Sequence, residues 1–594
     1  MELFPNDQAA GMFRSASSRD LEFHADLVLF YRAQQPREPL HGQFMLIELA
    51  DAREALLGRI TTIVAQGRLT SEAGEEYSLR AIAEQGSISE NIRRRELRYR
   101  VDVRLLGVLR HSGNRLVFAP SQRRLPHVGA RVAFPPAEIL RAIAGGARGP
   151  HCAEIGFYAL GEFVYCGDDA RIERRSWMQP LHPAVPVRFA VRQLVAKRTF
   201  VFARAGFGKS NLIKLLLAGL YAERPTLALR DGRRAPVGTL VFDPDGEYFW
   251  PDARGRPALC DVRALREQLV VFTEREAPSP FYGSFKAGGV RLDLRRLPPS
   301  LVLGIALAPE QQGQQNVHKL KALDRATWSK LVDLIHDAGH HASREQIRAL
   351  LGLKPSQDAE LNAARANMTR VVQALHDAHS NTLPLLVRAL AQGKLCVVDI
   401  SMLRGAAGLM LSGIVLRYIF AHNQREFTKA NPRPIPTIAV VEEAQAVLGA
   451  SGSTADRLRP GGHGSGTAAY EEWVKEGRKY SLGTVLVTQQ PSAIPSELLS
   501  QGDSWFVFHL LAQEDLRAVR AANAHFSDDL LALLLNEPLP GTCVFWSSVG
   551  DNAQAAGYAY PIPVRVLSFE QAHPTADPHG RRVAIDVYAS RLRG

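Results

Sequence analysis

Cysteine is scarce: Cys152, Cys166, Cys260, Cys396 and Cys543 are scattered through 594 residues, with no C-x-x-C pair and no Cys/His ligand spacing. That pattern argues against a disulfide framework and a zinc site, and it reads as reduced thiols of a cytoplasmic protein. Long apolar runs are missing too. The most apolar stretch, Leu409 to Phe420, is short and carries Arg417, so no membrane span is expected. The opening MELFPNDQAAGMF has no basic segment followed by an apolar one, so no secretory signal is expected. Internal repeats are not evident.

What is present is an ordinary folded composition, with 46% hydrophobic and 22% charged residues. At 594 residues the chain exceeds one compact core, and three or four units are expected. Lys plus Arg number 72 against 60 Asp plus Glu, a surplus of +12 that suits a polyanionic partner.

Between about residues 40 and 185, short alternating segments separated by turns form the pattern of a small β-barrel or sandwich. The clearest is Leu97 to Arg104, apolar on one side and charged on the other. Gly58 to Ala65 and Arg115 to Ala119 are similar, and Gly113-Asn114 supplies a turn. From Pro186 the pattern changes to buried strands alternating with helices: Thr199 to Phe202, Gly238 to Asp243, Lys394 to Ile400, Thr437 to Val441, Gly483 to Thr488, Trp505 to Leu510 and Gly541 to Trp546. Such strands imply a mostly parallel sheet covered on both faces. Between about 300 and 390, Leu323 to Ile335, Arg344 to Leu351 and Leu361 to Leu375 carry helical spacing, which predicts a helical insertion. The expected units are a 1–39 extension, a 40–185 β-rich barrel, an α/β core over 186–299 and 394–565, a 300–393 helical insertion and a 566–594 tail.

The chemistry is concentrated in a few motifs. Ala203-Arg204-Ala205-Gly206-Phe207-Gly208-Lys209-Ser210 fits a phosphate loop, with Ala203 in place of the first glycine. In such a loop Ala205, Gly206, Phe207, Gly208, Lys209, Ser210 and Asn211 surround the phosphates of ATP. Lys209 reaches the β/γ-phosphates and Ser210 binds Mg2+. Thr437 to Val441 ends in Glu442 and Glu443. Glu442 would hold the magnesium-bound water, and Glu443 would orient or deprotonate the attacking water. Two adjacent buried acids without a cation are costly, which weighs against a purely structural pair. Asp243-Pro244-Asp245-Gly246-Glu247-Tyr248 brings Asp243 and Glu247 to the same edge of the sheet, either as further pocket residues or as a tight turn. Gln489, closing another strand, is a γ-phosphate sensor or a strand cap. A Gly/Ser-rich stretch, Gly449 to Thr467, offers Arg457 and Arg459 as DNA contacts or as ordinary solvated residues.

The order A-R-A-G-F-G-K-S-N, D-P-D-G-E-Y, V-V-D-I-S at Val397 to Ser401, V-V-E-E-A-Q, E-G-R-K-Y-S-L-G at Glu476 to Gly483 and V-T-Q-Q-P-S resembles the HerA branch of the HerA/FtsK P-loop translocases over roughly residues 186–565. The N-terminal strands resemble that family's barrel. The resemblance implies a RecA-like ATPase core and an ATP- and Mg2+-dependent DNA translocase or helicase. It also implies a homo-hexameric ring with nucleotide sites between copies, and a separate nuclease or NAD-consuming effector in DNA end processing or antiviral defence. It makes Arg478 the candidate that reaches a neighbour's nucleotide, the alternative being a helix-end cation. An ATPase scaffold without processive movement and a secretion or conjugation ATPase are the competing readings. No nuclease or NAD-hydrolase site is seen in the chain itself.

Overall fold

The computed structural model describes residues 3–4, 9–19, 21–32, 39–51, 53–113, 115–145, 152–403, 405–448, 466–548 and 560–592. The chain divides into two compact units, 1–190 with 525–567, and 191–524 with 568–594.

The first unit is built on strands β1 (Gly11–Arg19), β2 (Glu22–Phe30), β3 (Phe44–Glu48), β4 (Glu54–Gln66), β5 (Arg98–Ser112), β6 (Arg115–Ala119) and β7 (Arg131–Ala133). Their order β2-β1-β7-β3-β4-β5, with β2 also pairing β5, closes a six-stranded antiparallel barrel to which β6 adds outside the ring. Alternation drives the closure. Along β5 Val101, Val103 and Leu105 point inward, and they meet Phe13, Leu27, Leu29, Ile47, Ile60 and Val132 in one core, so the barrel is filled by side chains. The long β4–β5 pair bends through register shifts at Leu57/Gly58 and Ile60/Thr62. Gly58 is required at the first, because a Cβ there would lie 2.2 Å from the Val103 side chain.

The barrel begins earlier than the alternation indicated, since β1 and β2 fall in the stretch expected as an extension. The signal in β1 is weak because only Gly11 and Phe13 are buried among its described side chains, and Ser15 to Ser18 are all exposed. Residues 525–565, expected in the α/β core, cluster with this unit together with 566–567. Within it Ile562–Val566 pairs antiparallel with Thr542–Ser547 and with Cys152–Leu160. The fully buried Arg59 of β4 donates to Asp529 at 3.2 Å and to Ser527 at 2.8 Å.

The second unit carries β8 (Arg198–Phe202), β9 (Gly238–Asp243), β10 (Leu269–Phe272), β11 (Lys286–Gly288), β12 (Leu395–Asp399), β13 (Thr437–Val441), β14 (Leu482–Thr488) and β15 (Ser504–Phe508). They form a parallel sheet in the order β15-β8-β14-β13-β9-β12-β10-β11. Strands β9, β12, β13 and β14 are buried at every position, as strands covered on both faces must be. Helix α1 (Lys209–Leu220) follows β8 and buries Leu212, Leu215, Leu216 and Leu220. Between β11 and β12 the chain is helical, with Arg325–Ala338 capped by Asp324 and Asp358–Leu375 burying Leu361, Met368 and Leu375. The mixed α/β architecture, barrel plus mostly parallel sheet, is that expected from the strand pattern.

Candidate nucleotide site

The strand order decides which loops meet. Strand β14 separates β8 from β13, so the turn after β8, the Gln489 end of β14 and the Glu442-Glu443 end of β13 leave neighbouring strands at their carboxyl ends. Strand spacing of roughly 4.8 Å puts β8 and β13 about 10 Å apart, a gap that extended side chains can bridge.

After β8 the chain enters the glycine-rich turn with Ala203 buried and its N–H bonded to the Thr488 carbonyl at 3.1 Å. Ala203 is not among the residues with positive φ, which is why an alanine is tolerated where the motif has glycine. The other two glycines are needed: Gly206 has φ 82° and Gly208 φ 104°. Gly208 is the N-cap of α1 and provides no side-chain cap, so the first amides of the helix are left to face a ligand. The Phe207 ring lies 4.8 Å from that of His509, pinning the middle of the loop. Ala205 is exposed, whereas the side chain of Asn211 accepts the Phe569 N–H at 2.8 Å and so faces the chain's C-terminal segment.

The two motifs meet at Glu443. Its carboxylate lies 3.6 Å from the Lys209 ammonium and accepts hydrogen bonds from Gln489 at 2.8 Å and from Gln445. Burial raises the Glu443 carboxyl, but the Gln489 and Gln445 bonds and the Lys209 charge outweigh it and hold the group below the usual range. Glu443 has φ 50°, a left-handed conformation costing about 1–3 kcal/mol for a non-glycine residue. Glu442 behaves oppositely. Burial, with Asp243 and Glu443 nearby, pushes its carboxyl up to about 7 against the opposing Tyr248 hydrogen bond and Lys209 charge.

Of the two readings offered for Asp243, pocket residue or tight turn, its hydrogen bonds are those of a tight turn. It is fully buried, and its carboxylate is occupied by the N–H groups of Gly246 at 2.7 Å, Tyr248 at 2.9 Å and Glu247 at 3.2 Å. It builds the loop instead. Burial raises its pKa to about 6. Glu247 is exposed, and Lys214 reaches its carbonyl at 3.5 Å. The acids that do interact with the Lys209–Glu443 pair include Asp245, raised by burial and then by Glu247 and Glu443. Asp245 and Tyr248 were quoted in the motif but given no role, because their placement depends on how Asp243 folds the turn.

Arg478 lies elsewhere. It sits in the 3₁₀ turn Gly477–Tyr480 before β14, 3.9 Å from Asp503, which precedes β15 and accepts the Arg198 N–H at 3.0 Å where β8 begins. These are the amino ends of the strands. The seven residues of β14 span roughly 20 Å, so Arg478 is remote from its own chain's Lys209 and Glu443. Arg457 and Arg459 lie outside the described residues.

Residues 178–419 match the family model described as the central domain of helicase HerA. The central region is thus similar to the central domain of HerA. Among similar curated HerA proteins, the DNA double-strand break repair helicase of Sulfolobus acidocaldarius is 21% identical over 347 residues, 57% of this chain and 59% of that protein. The HerA of Saccharolobus solfataricus is 22% identical over 345 residues, 56% of this chain and 59% of that one. The match thus spans about three-fifths of each HerA relative. Among solved structures, the plasmid coupling protein TrwB with ADP and Mg2+ is similar with a TM-score of 0.40 and 14% identity, covering 74% of this chain and 98% of that one. Among the described residues no group of His, Cys, Asp or Glu forms a metal cluster, and no helix is long and apolar enough to cross a membrane.

Proposed function

We propose that this chain is an ATP-driven DNA translocase or helicase of the HerA type, working in the cytoplasm as a hexameric ring with a separate nuclease or other effector, in DNA end processing or antiviral defence. The observation that carries the reading is the convergence of Lys209, Glu443 and Gln489 beside the open amides at the start of α1, next to Ser210 and Glu442. This is the set of groups phosphoryl transfer from ATP to water requires.

The donor chemistry fits Mg2+, because Ser210 and Glu442 offer hard oxygens and a carboxyl raised to about 7 gains from a nearby divalent cation. Bound there, Mg2+ supplies charge neutralisation on the phosphate oxygens. The amides of Gly206 to Ser210 and the Lys209 ammonium bind and orient the triphosphate. Glu443, kept ionised by its partners, positions water and accepts its proton, and Gln489 holds Glu443 in place. Arg478, remote from this pocket, suits a neighbouring copy's nucleotide, which is the reason for favouring a ring.

DNA would be held through its phosphates, as a motor that steps along arbitrary sequence requires, and the +12 charge surplus supports this. Arg457 and Arg459 remain the proposed contacts. The test is ATP turnover with and without DNA across a salt series. Stimulation that falls steeply with salt, and weakens when both arginines become alanine with basal turnover intact, is expected. Wild-type protein that hydrolyses ATP with no response to DNA would sink the translocase reading.

A further inference from the structure

The Asp243–Tyr248 turn is more elaborate than a strand connection needs. The buried Asp243 carboxylate gathers four consecutive amides, those of Asp245, Gly246, Glu247 and Tyr248. Gly246 has φ 70°, and Arg275 donates to its carbonyl at 3.1 Å while standing 5.4 Å over the Phe249 ring. Phe249 and Trp250 are buried directly behind. The turn is therefore fixed from both ends, and it seats Tyr248. Tyr248 is 2% exposed, and its hydroxyl donates to Glu442 and meets Ser210.

Those two partners come from different elements, one from the end of β13 and one from the start of α1, and they are the two groups proposed to hold Mg2+. Resting on that reading, the geometry points to Tyr248 as a positioning residue that sets the Glu442 carboxylate and the Ser210 hydroxyl for the metal-bound nucleotide. Asp243 acts through Tyr248 by fixing its backbone. A phenol, with an ordinary pKa of about 10, is a neutral donor at working pH. Groups that orient metal ligands from behind commonly alter metal affinity by 10–100-fold when removed. A space-filling tyrosine would behave differently, because the ring alone would suffice.

Tyr248→Phe separates the two roles, since it keeps the ring and removes the oxygen. Affinity for a fluorescent ATP analogue would be measured on the full chain in excess EDTA and across a Mg2+ titration, with thermal melting as a control. The expected result is EDTA affinity within about twofold of wild type, an unchanged melting point, and a Mg2+ midpoint raised by about tenfold. Glu442→Gln should shift the midpoint in the same direction. A Tyr248→Phe midpoint equal to wild type overturns the inference alone. Wild-type protein that binds the analogue equally with and without Mg2+ overturns the inference together with the reading beneath it.

Discussion

The two edges of the parallel sheet are made from the same eight strands and carry opposite chemistry. At the carboxyl edge, acids and one lysine crowd together, Glu443 is held in a strained backbone conformation, and side-chain amides hold its carboxylate in place. At the amino edge, the backbone N–H of Arg198 and the half-exposed guanidinium of Arg478 share the buried Asp503. Strain and desolvated charge have been concentrated where bonds would be made and broken. The other edge is left with an arginine whose own chain gives it no phosphate to meet. Parallel topology teaches why: every strand delivers its following loop to one edge, so catalytic parts accumulate there, and a group before a strand is necessarily on the far side.

The largest effect should come from the carboxyl edge. Lys209→Ala is expected to abolish ATP binding and turnover, whereas Glu443→Gln keeps binding and loses turnover by at least about 10³-fold, read by nucleotide binding and steady-state hydrolysis. Near-native hydrolysis by Glu443→Gln would move the catalytic carboxylate elsewhere.

Arg478→Ala tests the amino edge, with nucleotide binding retained and turnover reduced by about 10³-fold. Doped into wild-type protein, it should remove more activity than its mole fraction. Strictly proportional loss would return Arg478 to the ordinary helix-end cations and remove the contrast between the edges.

Asp243→Ala asks whether the carboxyl edge is built by its hidden acid. Leaving buried loop amides unbonded should cost about 3 kcal/mol in denaturant unfolding of this unit. A stability unchanged from wild type would mean that the loop holds itself. Smallest of all, Ala203→Gly should leave hydrolysis intact and lower stability by no more than about 1 kcal/mol through chain entropy. A marked gain in turnover would show that the alanine restrains the loop.

Much of this was legible because strand and motif signals are local. Gly238 to Asp243 and Thr437 to Val441 are strands with those same limits, since continuous apolar runs bounded by turns leave few alternatives. Leu269–Phe272 escaped notice because four apolar residues are too few to show a period. The Lys209–Glu443 contact could be anticipated from the motifs. The sorting of Asp243, Asp245 and Tyr248 could not, because three residues of one hexapeptide point to a core, to solvent and to another strand's acid.

By itself the amino-acid sequence determined the elements and the inventory: a glycine-rich turn between strand and helix, two acids after a buried strand, and a β-rich N-terminal region. Hydrophobic periodicity and backbone conformational limits act over a few residues, so they can be read one segment at a time. Tertiary structure alone decided which strand separates the phosphate loop from the two acids, which carboxylate is ionised and which is held up at about 7, and that Arg478 stands at the far edge from Lys209. Those outcomes depend on strand order and desolvation, which are set by partners as distant along the chain as Lys209 and Glu443.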